Sequence, residues 1–175
     1  FPFVAKPRHY SINNEILKPP YLIHDQDEYD RFLQTENPEN YFYQEFIEGS
    51  SHYLLFYFSK SGSIESFGQE NLIQQSGGRS IIAAKYSDVY LHPVAEKFKK
   101  LFQELSFTGL VMVELRKNED VFFMIEANPR LWGPSQFFLD SGSEIFHKFC
   151  RDLGINVYSN KKLNFHKLYF WNGGT

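Results

Sequence analysis

In the stretch MIEANPRLWGPSQ, residues 124–136, a carboxylate, an amide and a guanidinium stand on alternate positions, at Glu126, Asn128 and Arg130. A second carboxylate, Glu114, lies one apolar run earlier, in GLVMVELRK. Side chains alternate along a strand, so Met112, Glu114 and Arg116 share one face, and Met124, Glu126 and Asn128 share a face of the next run. With an odd hairpin loop, for example 118–120, residue 112 lies opposite residue 126. Glu114 and Glu126 are then diagonal neighbours, about 7–8 Å apart between Cα atoms. An even loop without a bulge sends them to opposite faces. Two long carboxylates that converge suit Mg²⁺, which takes one or two carboxylates together with phosphate oxygens and waters. Asn128 adds a neutral oxygen. Arg130 cannot ligate a cation, but its planar fork suits the phosphate a cation brings. The four residues describe a metal–phosphate site. The competing reading is a surface hairpin whose charges face water, and the flanking FFMI and LW, which favour burial, weigh against it.

The elements that must position these groups follow from pattern. Phe1 to Lys6 reads as a strand ended by Pro7, residues 8–20 as loop, and YLI as a brief strand. DQDEYDRFLQ opens with an Asp followed three residues later by Glu28, a helix start with acidic residues in its first turn. YFYQEFI is a strand broken at Gly49-Ser50-Ser51, and HYLLFYFS, the turn KSGS and IESFGQE form a hairpin. Residues 71–80 read as loop and IIAAKY as a strand. From Pro93, the spacing of Val94, Phe98, Leu101, Phe102 and Leu105 predicts an amphipathic helix. GLVMVELRK and DVFFMIEAN are two strands, and residues 135–153 are helical with a break at Ser141-Gly142. The tail alternates weakly and adds an edge strand. Strands outweigh helices, so the fold class is α+β with mostly antiparallel pairing.

Composition removes several classes of function. The chain has 175 residues and 42% hydrophobic content, enough for a core. Its 18% aromatic content includes 19 Phe but comes with no basic cluster, and a net charge of −3 argues against nucleic acid. The single Cys150 cannot form an internal disulfide, which fits a cytoplasmic location. No run reaches transmembrane length and no signal peptide is visible, so no membrane partner is expected. The chain opens on FPFVAKP without Met, as a piece of a longer protein would.

At this point the residues carry a resemblance. MIEANPRLWG resembles the metal-binding signature of the ATP-grasp superfamily, and FTGLVMVELRKNEDVFFMIEANPRLWGPSQFFLDSG is similar to its carbamoyl-phosphate-synthetase-like branch. FPFVAKP resembles the strand bearing a nucleotide-contacting lysine, and YFYQEFIEG the linker whose backbone pairs with adenine. The resemblance spans Phe1 to about Gly154. It implies Glu114, Glu126 and Asn128 as metal ligands and Arg130 as the catalytic arginine on the transferred phosphoryl group. It implies Lys6 on the α- and β-phosphates, Gln44 and Glu45 with the main chain of Phe46 and Ile47 at the adenine, and His52 at the ribose. GGRS, with Arg79, resembles a segment of the same branch, although Gly77-Gly78 also reads as an ordinary loop. The family follows the lysine strand with a Gly-rich loop over the phosphates. This chain has RHYSINNEILKPPYLI, with no glycine, where Arg8, His9, Ser11 and Lys18 can supply side-chain donors instead.

The resemblance implies an ATP-grasp fold of two lobes, a remnant of the small lobe at residues 1–40 and the large lobe at 41–175, with the preceding domain of the same protein missing. It implies ATP and Mg²⁺, with Mn²⁺ able to substitute, and small-molecule partners. The implied reaction activates a carboxylate as an acyl phosphate, which an amine or similar nucleophile then attacks. Glu114, Glu126 and Asn128 are expected to point into one cleft with Lys6 facing them. Without the glycine cover, this chain alone is expected to bind Mg²⁺-nucleotide weakly and not turn it over. Two rivals stay open: a degenerate nucleotide-binding or regulatory module, and a metal-dependent phosphodiesterase, which needs further acidic ligands.

Overall fold

The computed structural model of the chain describes residues 1–9, 11–12, 15–16, 20–75, 80–158, 164 and 166–172, with backbone alone at 11–12 and 15–16. The chain divides into two compact units, Phe1–Ile47 and Glu48–Thr175.

In the first unit, β1 (Phe3–Pro7) is followed by the short strands β2 (Ser11–Ile12), β3 (Glu15–Ile16) and β4 (Tyr21–Ile23). Then come α1 (Gln26–Thr35) and β5 (Tyr41–Glu45). β1 is the middle of an antiparallel β4-β1-β5 sheet, while β2 and β3 pair with each other where the sequence predicts only loop. α1 starts where expected: the Asp25 carboxylate accepts from Glu28 N at 2.9 Å. Glu28 reaches back one residue further out, its Oε2 accepting from His24 N at 2.7 Å. Ala5, Ile23, Phe32 and Tyr41 form the core between sheet and helix, with Phe3, Tyr21 and Tyr29 packed on it. Tyr21 and Tyr41 both donate to the Glu36 carboxylate, at 2.6 and 2.8 Å, and burial followed by Glu36 raises the Tyr41 phenol pKa. Because Phe3 and Ala5 face α1, Lys6 falls on the other face of β1. The strand at Tyr41–Glu45, assigned by sequence to the large lobe, takes its hydrogen bonds from β1.

The second unit is built on one antiparallel sheet. Its strands are β6 (Ser50–Phe58), β7 (Ile64–Gln74), β8 (Ile81–Tyr86), β9 (Gly109–Asn118), β10 (Val121–Asn128) and β11 (Leu168–Phe170), in the order β10-β9-β6-β7-β8-β11. β7 runs to Gln74, into the stretch read as loop, because β8 pairs with it as far as Gln74 opposite Ile81. Gln69 Nε2 donates to Asn71 Oδ1 at 2.5 Å, and Asn71 Nδ2 donates to Ser51 Oγ at 2.9 Å. The expected edge strand in the tail is β11, which pairs with β8.

Helices cover both faces of this sheet, which is why the central strand β6 is a continuous apolar run rather than an alternating one. α2 (Pro93–Glu104) packs its Phe102 and Ala95 against Leu54, Phe56, Phe58, Val111, Val113 and Leu115. His92 caps it through Nδ1, which accepts from Val94 N at 3.2 Å, and Pro93 occupies the first turn. On the other face α3 (Ser135–Asp140) and α4 (Ile145–Asp152) bring Phe137, Phe138 and Ile145 onto Leu55, Tyr57, Phe67 and Met112. Each such side chain contributes about 1.5–3 kcal/mol through burial. α4 is also tied by polar contacts, Tyr57 Oη to Asp152 at 2.5 Å and Lys148 to Glu65. Burial and this carboxylate push the Tyr57 pKa up to about 12.

Candidate functional site

The geometry of the β9–β10 hairpin decides whether the two glutamates meet. Asn118 pairs with Val121, so Glu119 and Asp120 form an even turn, not the odd one expected. Taken alone, that turn would put Glu114 and Glu126 on opposite faces. A bulge between Met124 and Glu126 inserts one extra residue and restores the parity. Glu126 lies directly opposite Glu114, not diagonal to it, and Asn128 lies opposite Met112. Tyr53 of β6 pairs with Glu114 from the other side. Glu126, Glu114 and Tyr53 thus form one row across three strands, on the face that α3 and α4 cover.

These residues line one cavity of about 450 Å³. Glu114, Glu126, Asn128 and Arg130 stand together in its wall with Tyr53, Trp132, Tyr169 and Trp171. Glu114 is buried, 7% exposed, while Glu126 and Arg130 are exposed. Asn128 Nδ2 donates to Glu126 Oε1 at 2.5 Å, which turns its carbonyl oxygen away from Glu126. Arg130 N donates to Asn128 O at 2.9 Å, and Arg130 Nη1 to Leu131 O at 3.2 Å, so one donor of the fork holds the local chain. Tyr53 registers the electrostatics of the whole group. Burial raises its phenol pKa most, Glu114 and Glu126 raise it further, and Arg116 and Arg130 oppose them. Sequence reasoning passed over Tyr53, whose place opposite Glu114 follows only from the β6–β9 register.

The donor set fits a hard divalent cation shared with phosphate: two opposed carboxylates and an amide oxygen, all on one wall. Among the described residues there is no cluster of three or more His, Cys, Asp or Glu that could hold a metal on its own. The apolar flanks are less buried than their composition implies. Met124 and Phe123 are exposed on the edge strand β10 and Leu131 is exposed in the segment after it, whereas Trp132 is buried with its indole N–H lacking an acceptor among the described residues.

His52 is not part of this group. It pairs with Leu115 and therefore faces α2, one residue out of phase with Tyr53. Its ring packs against Phe122 at 5.8 Å, with Ser50 Oγ at 2.8 Å from Nε2 and Ser87 Oγ at 3.4 Å from Nδ1. Burial lowers its pKa against the pull of Glu70, so the unfolded chain takes up the proton first as pH falls. The stability gained by keeping His52 neutral is therefore whole above the ordinary imidazole value, about 6.5, and declines below it. Urea unfolding of His52→Gln should show a smaller loss of stability between about pH 7 and 5.5 than the parent chain. Equal losses would assign the titration to another group.

In the first unit, Lys6 pairs with Phe42 and Gln44 with Val4, so Lys6 and Gln44 share the sheet face turned away from α1. Glu45 pairs with Phe3 and lies on the α1 side. Phe46, expected to offer its main chain to a base, commits its N–H to Pro2 O at 3.4 Å. Strand alternation then leaves the main-chain groups of Glu45 and Ile47 directed to the open edge of β5. Arg8 donates from Nε to Tyr41 O at 3.0 Å, and His9 is exposed. Lys18, the Ser11 side chain and the segment Gly77-Gly78-Arg79 lie outside the described residues.

No family model matches the sequence, and no curated protein sequence does. Solved structures do match. N5-carboxyaminoimidazole ribonucleotide synthetase from Thermus thermophilus is similar at 15% identity and a TM-score of 0.70, over 90% of this chain and 43% of that one. The Staphylococcus aureus N5-carboxyaminoimidazole synthetase complexed with ADP gives 16% identity and a TM-score of 0.69, over 93% and 44%. Biotin carboxylase from Campylobacter jejuni, in a β-γ-ATP complex, gives 12% identity and a TM-score of 0.64, over 96% and 40%. The fold is ATP-grasp. The chain spans less than half the length of these ATP-grasp structures, with 43%, 44% and 40% of them covered. Its α+β class and mostly antiparallel sheet are those expected from sequence. Among the described residues, no helix is long and apolar enough to cross a membrane.

Proposed function

We propose that this chain carries the phosphoryl-transfer face of an ATP- and Mg²⁺-dependent ligase, which activates a carboxylate for attack by an amine or similar nucleophile. The observation that carries the reading is the convergence of Glu114, Glu126, Asn128 and Arg130 on one cavity wall. A magnesium ion held by Glu114 and Glu126, with the Asn128 amide rotated to present its oxygen in place of the Nδ2 that now donates to Glu126, would supply positive charge against the phosphate oxygens. Arg130, with the remaining donors of its fork, neutralises charge that builds on the moving phosphoryl group. A carboxylate oxygen of the acid attacks the γ-phosphorus, ADP leaves with the bridging oxygen, and the nucleophile then displaces phosphate from the acyl carbon. For the first unit taken by itself, the family resemblance assigns Lys6 to the α- and β-phosphates and Gln44 to the adenine amino group, and the open edge of β5 offers main-chain groups of Glu45 and Ile47 to a base. His52, facing α2, is left out of this site. The similar structures with ADP and an ATP analogue support a nucleotide as ligand, and the carbamoyl-phosphate-synthetase-like signature at residues 107–142 supports a ligase.

Calorimetric titration with ADP, with magnesium and then with a chelator, tests the reading. Binding that needs the metal is expected, and equal or tighter binding in the chelator would sink it. A second check concerns the base. Ile47→Pro removes one main-chain donor from the open edge, so ADP affinity should fall by about three- to tenfold in a variant that still folds. Unchanged affinity would move the adenine elsewhere. The phosphodiesterase alternative requires further acidic ligands beside Glu114 and Glu126, and cleavage of a phosphodiester without any nucleotide would reveal it.

A further inference from the structure

The cavity that holds the carboxylates has two chemically different ends. Its ionic residues come from β9, β10 and the segment just after β10, at one edge of the sheet. Its opposite end is contributed by β11 and the residue following it, Tyr169 and Trp171, at the other edge. Tyr53 and Ile81, from the strands between, and Trp132 and Pro134, from the segment that follows Arg130, complete the lining. Tyr169 and Trp171 stand on alternate positions and so share a face, and Trp171 N donates to Ile82 O at 2.8 Å, which fixes the chain there. Trp171 is 39% exposed, and among the described residues no ring packs against it. Tyr169 packs at 6.4 Å from Phe137, so its ring is held in place. Among the described lining residues Arg130 is the one cation, and it stands at the ionic end.

An occupant that reaches from the glutamates to β11 therefore meets a cation site first and flat aromatic walls second. We propose that the acid substrate is a small aromatic or heteroaromatic carboxylate, its carboxylate beside Arg130 and its ring between Trp132, Tyr169 and Trp171. This rests on the ligase reading above, since it assigns the acid to the same cavity. Ring-on-ring contact gives selectivity that an aliphatic acid cannot match, because offset and edge-to-face geometries reward a π-system beyond its buried area. A volume of about 450 Å³ is in the range of small-molecule sites and leaves room for one ring beside a phosphate.

The test is a titration of the full chain with benzoate, cyclohexanecarboxylate, acetate and ribose 5-phosphate, followed by ligand-observed saturation-transfer NMR and tryptophan fluorescence. Mg²⁺-ADP is titrated in parallel. Benzoate is expected to bind at least about tenfold more tightly than acetate, and more tightly than cyclohexanecarboxylate. Trp171→Ala should lower benzoate affinity about tenfold and Trp171→Phe should largely restore it, a pattern that loss of folding would not give. Equal binding of benzoate and acetate, preference for ribose 5-phosphate, or indifference to Trp171→Ala would overturn the proposal. Failure of Mg²⁺-ADP to bind overturns the ligase reading beneath it, whereas Mg²⁺-ADP binding without preference for benzoate overturns the aromatic acid alone.

Discussion

Glu126→Gln is expected to make ADP binding indifferent to magnesium. The substitution keeps the length of the side chain and an oxygen that can accept from Asn128 Nδ2, and removes only the charge. Glu126 is exposed on an edge strand, so the fold has little at stake in that charge. A charge-assisted contact is worth about 1.5–3 kcal/mol, which converts to a loss of roughly ten- to a hundredfold or more in Mg²⁺-ADP affinity. Metal-free affinity should stay where it was. Glu114→Gln should act in the same direction, with an added cost in stability because Glu114 is buried between Tyr53 and Glu126. The experiment separates the two readings left open by the sequence. Charges that merely face water would leave the metal dependence intact, and that outcome, in calorimetry with and without magnesium, would end the metal-site proposal.

The hairpin shows where sequence reading stops. The pattern of GLVMVELRK and DVFFMIEAN was enough to find both strands and to see that parity governs the site. It could not reveal that the turn has an even number of residues and that a bulge at Ile125 compensates, because a bulge leaves no mark in the alternation until the partner register is known. Strand order is equally silent. Met124 reads as a core residue, yet it stands on β10, which has one neighbour, and is exposed, as is Leu131 in the segment after that strand. Tyr53 and His52 are adjacent in sequence and opposite in space, so only the register could show that the tyrosine, not the histidine, stands beside Glu114. Local signals fared better. Asp25 with Glu28, Pro93 ahead of an apolar stripe, and the break at Ser141-Gly142 each act within a few residues, and each marks a helix boundary. Tyr169 and Trp171 reach the cavity from the far end of the chain through β11, a long-range placement that periodicity could not supply.

Gly49→Ala should cost about 4 kcal/mol or more, far beyond the effect of an ordinary added methyl. Gly49 has a φ of 137°, which side-chain-bearing residues seldom adopt, and a Cβ there would stand 2.0 Å from Lys117 O and 2.7 Å from Lys117 C. Both are backbone atoms, so no rotamer change can relieve the contact. Relief requires β9 to move away from β6 at Ser50–Lys117, the end of their pairing. Gly62→Ala is the control, since Gly62 has a φ of 89° but nothing within 4 Å of the added carbon. It should show the conformational cost alone, about 1 kcal/mol. In urea unfolding, a Gly49→Ala chain no less stable than Gly62→Ala would show that β9 does not approach so closely. The displaced strand also carries Glu114, three residues from Lys117, so any folded Gly49→Ala protein should lose magnesium-dependent ADP affinity as well. Gly62→Ala, in the β6–β7 turn, should leave that affinity intact. The same glycine thus permits the close approach of β6 to the strand that carries Glu114.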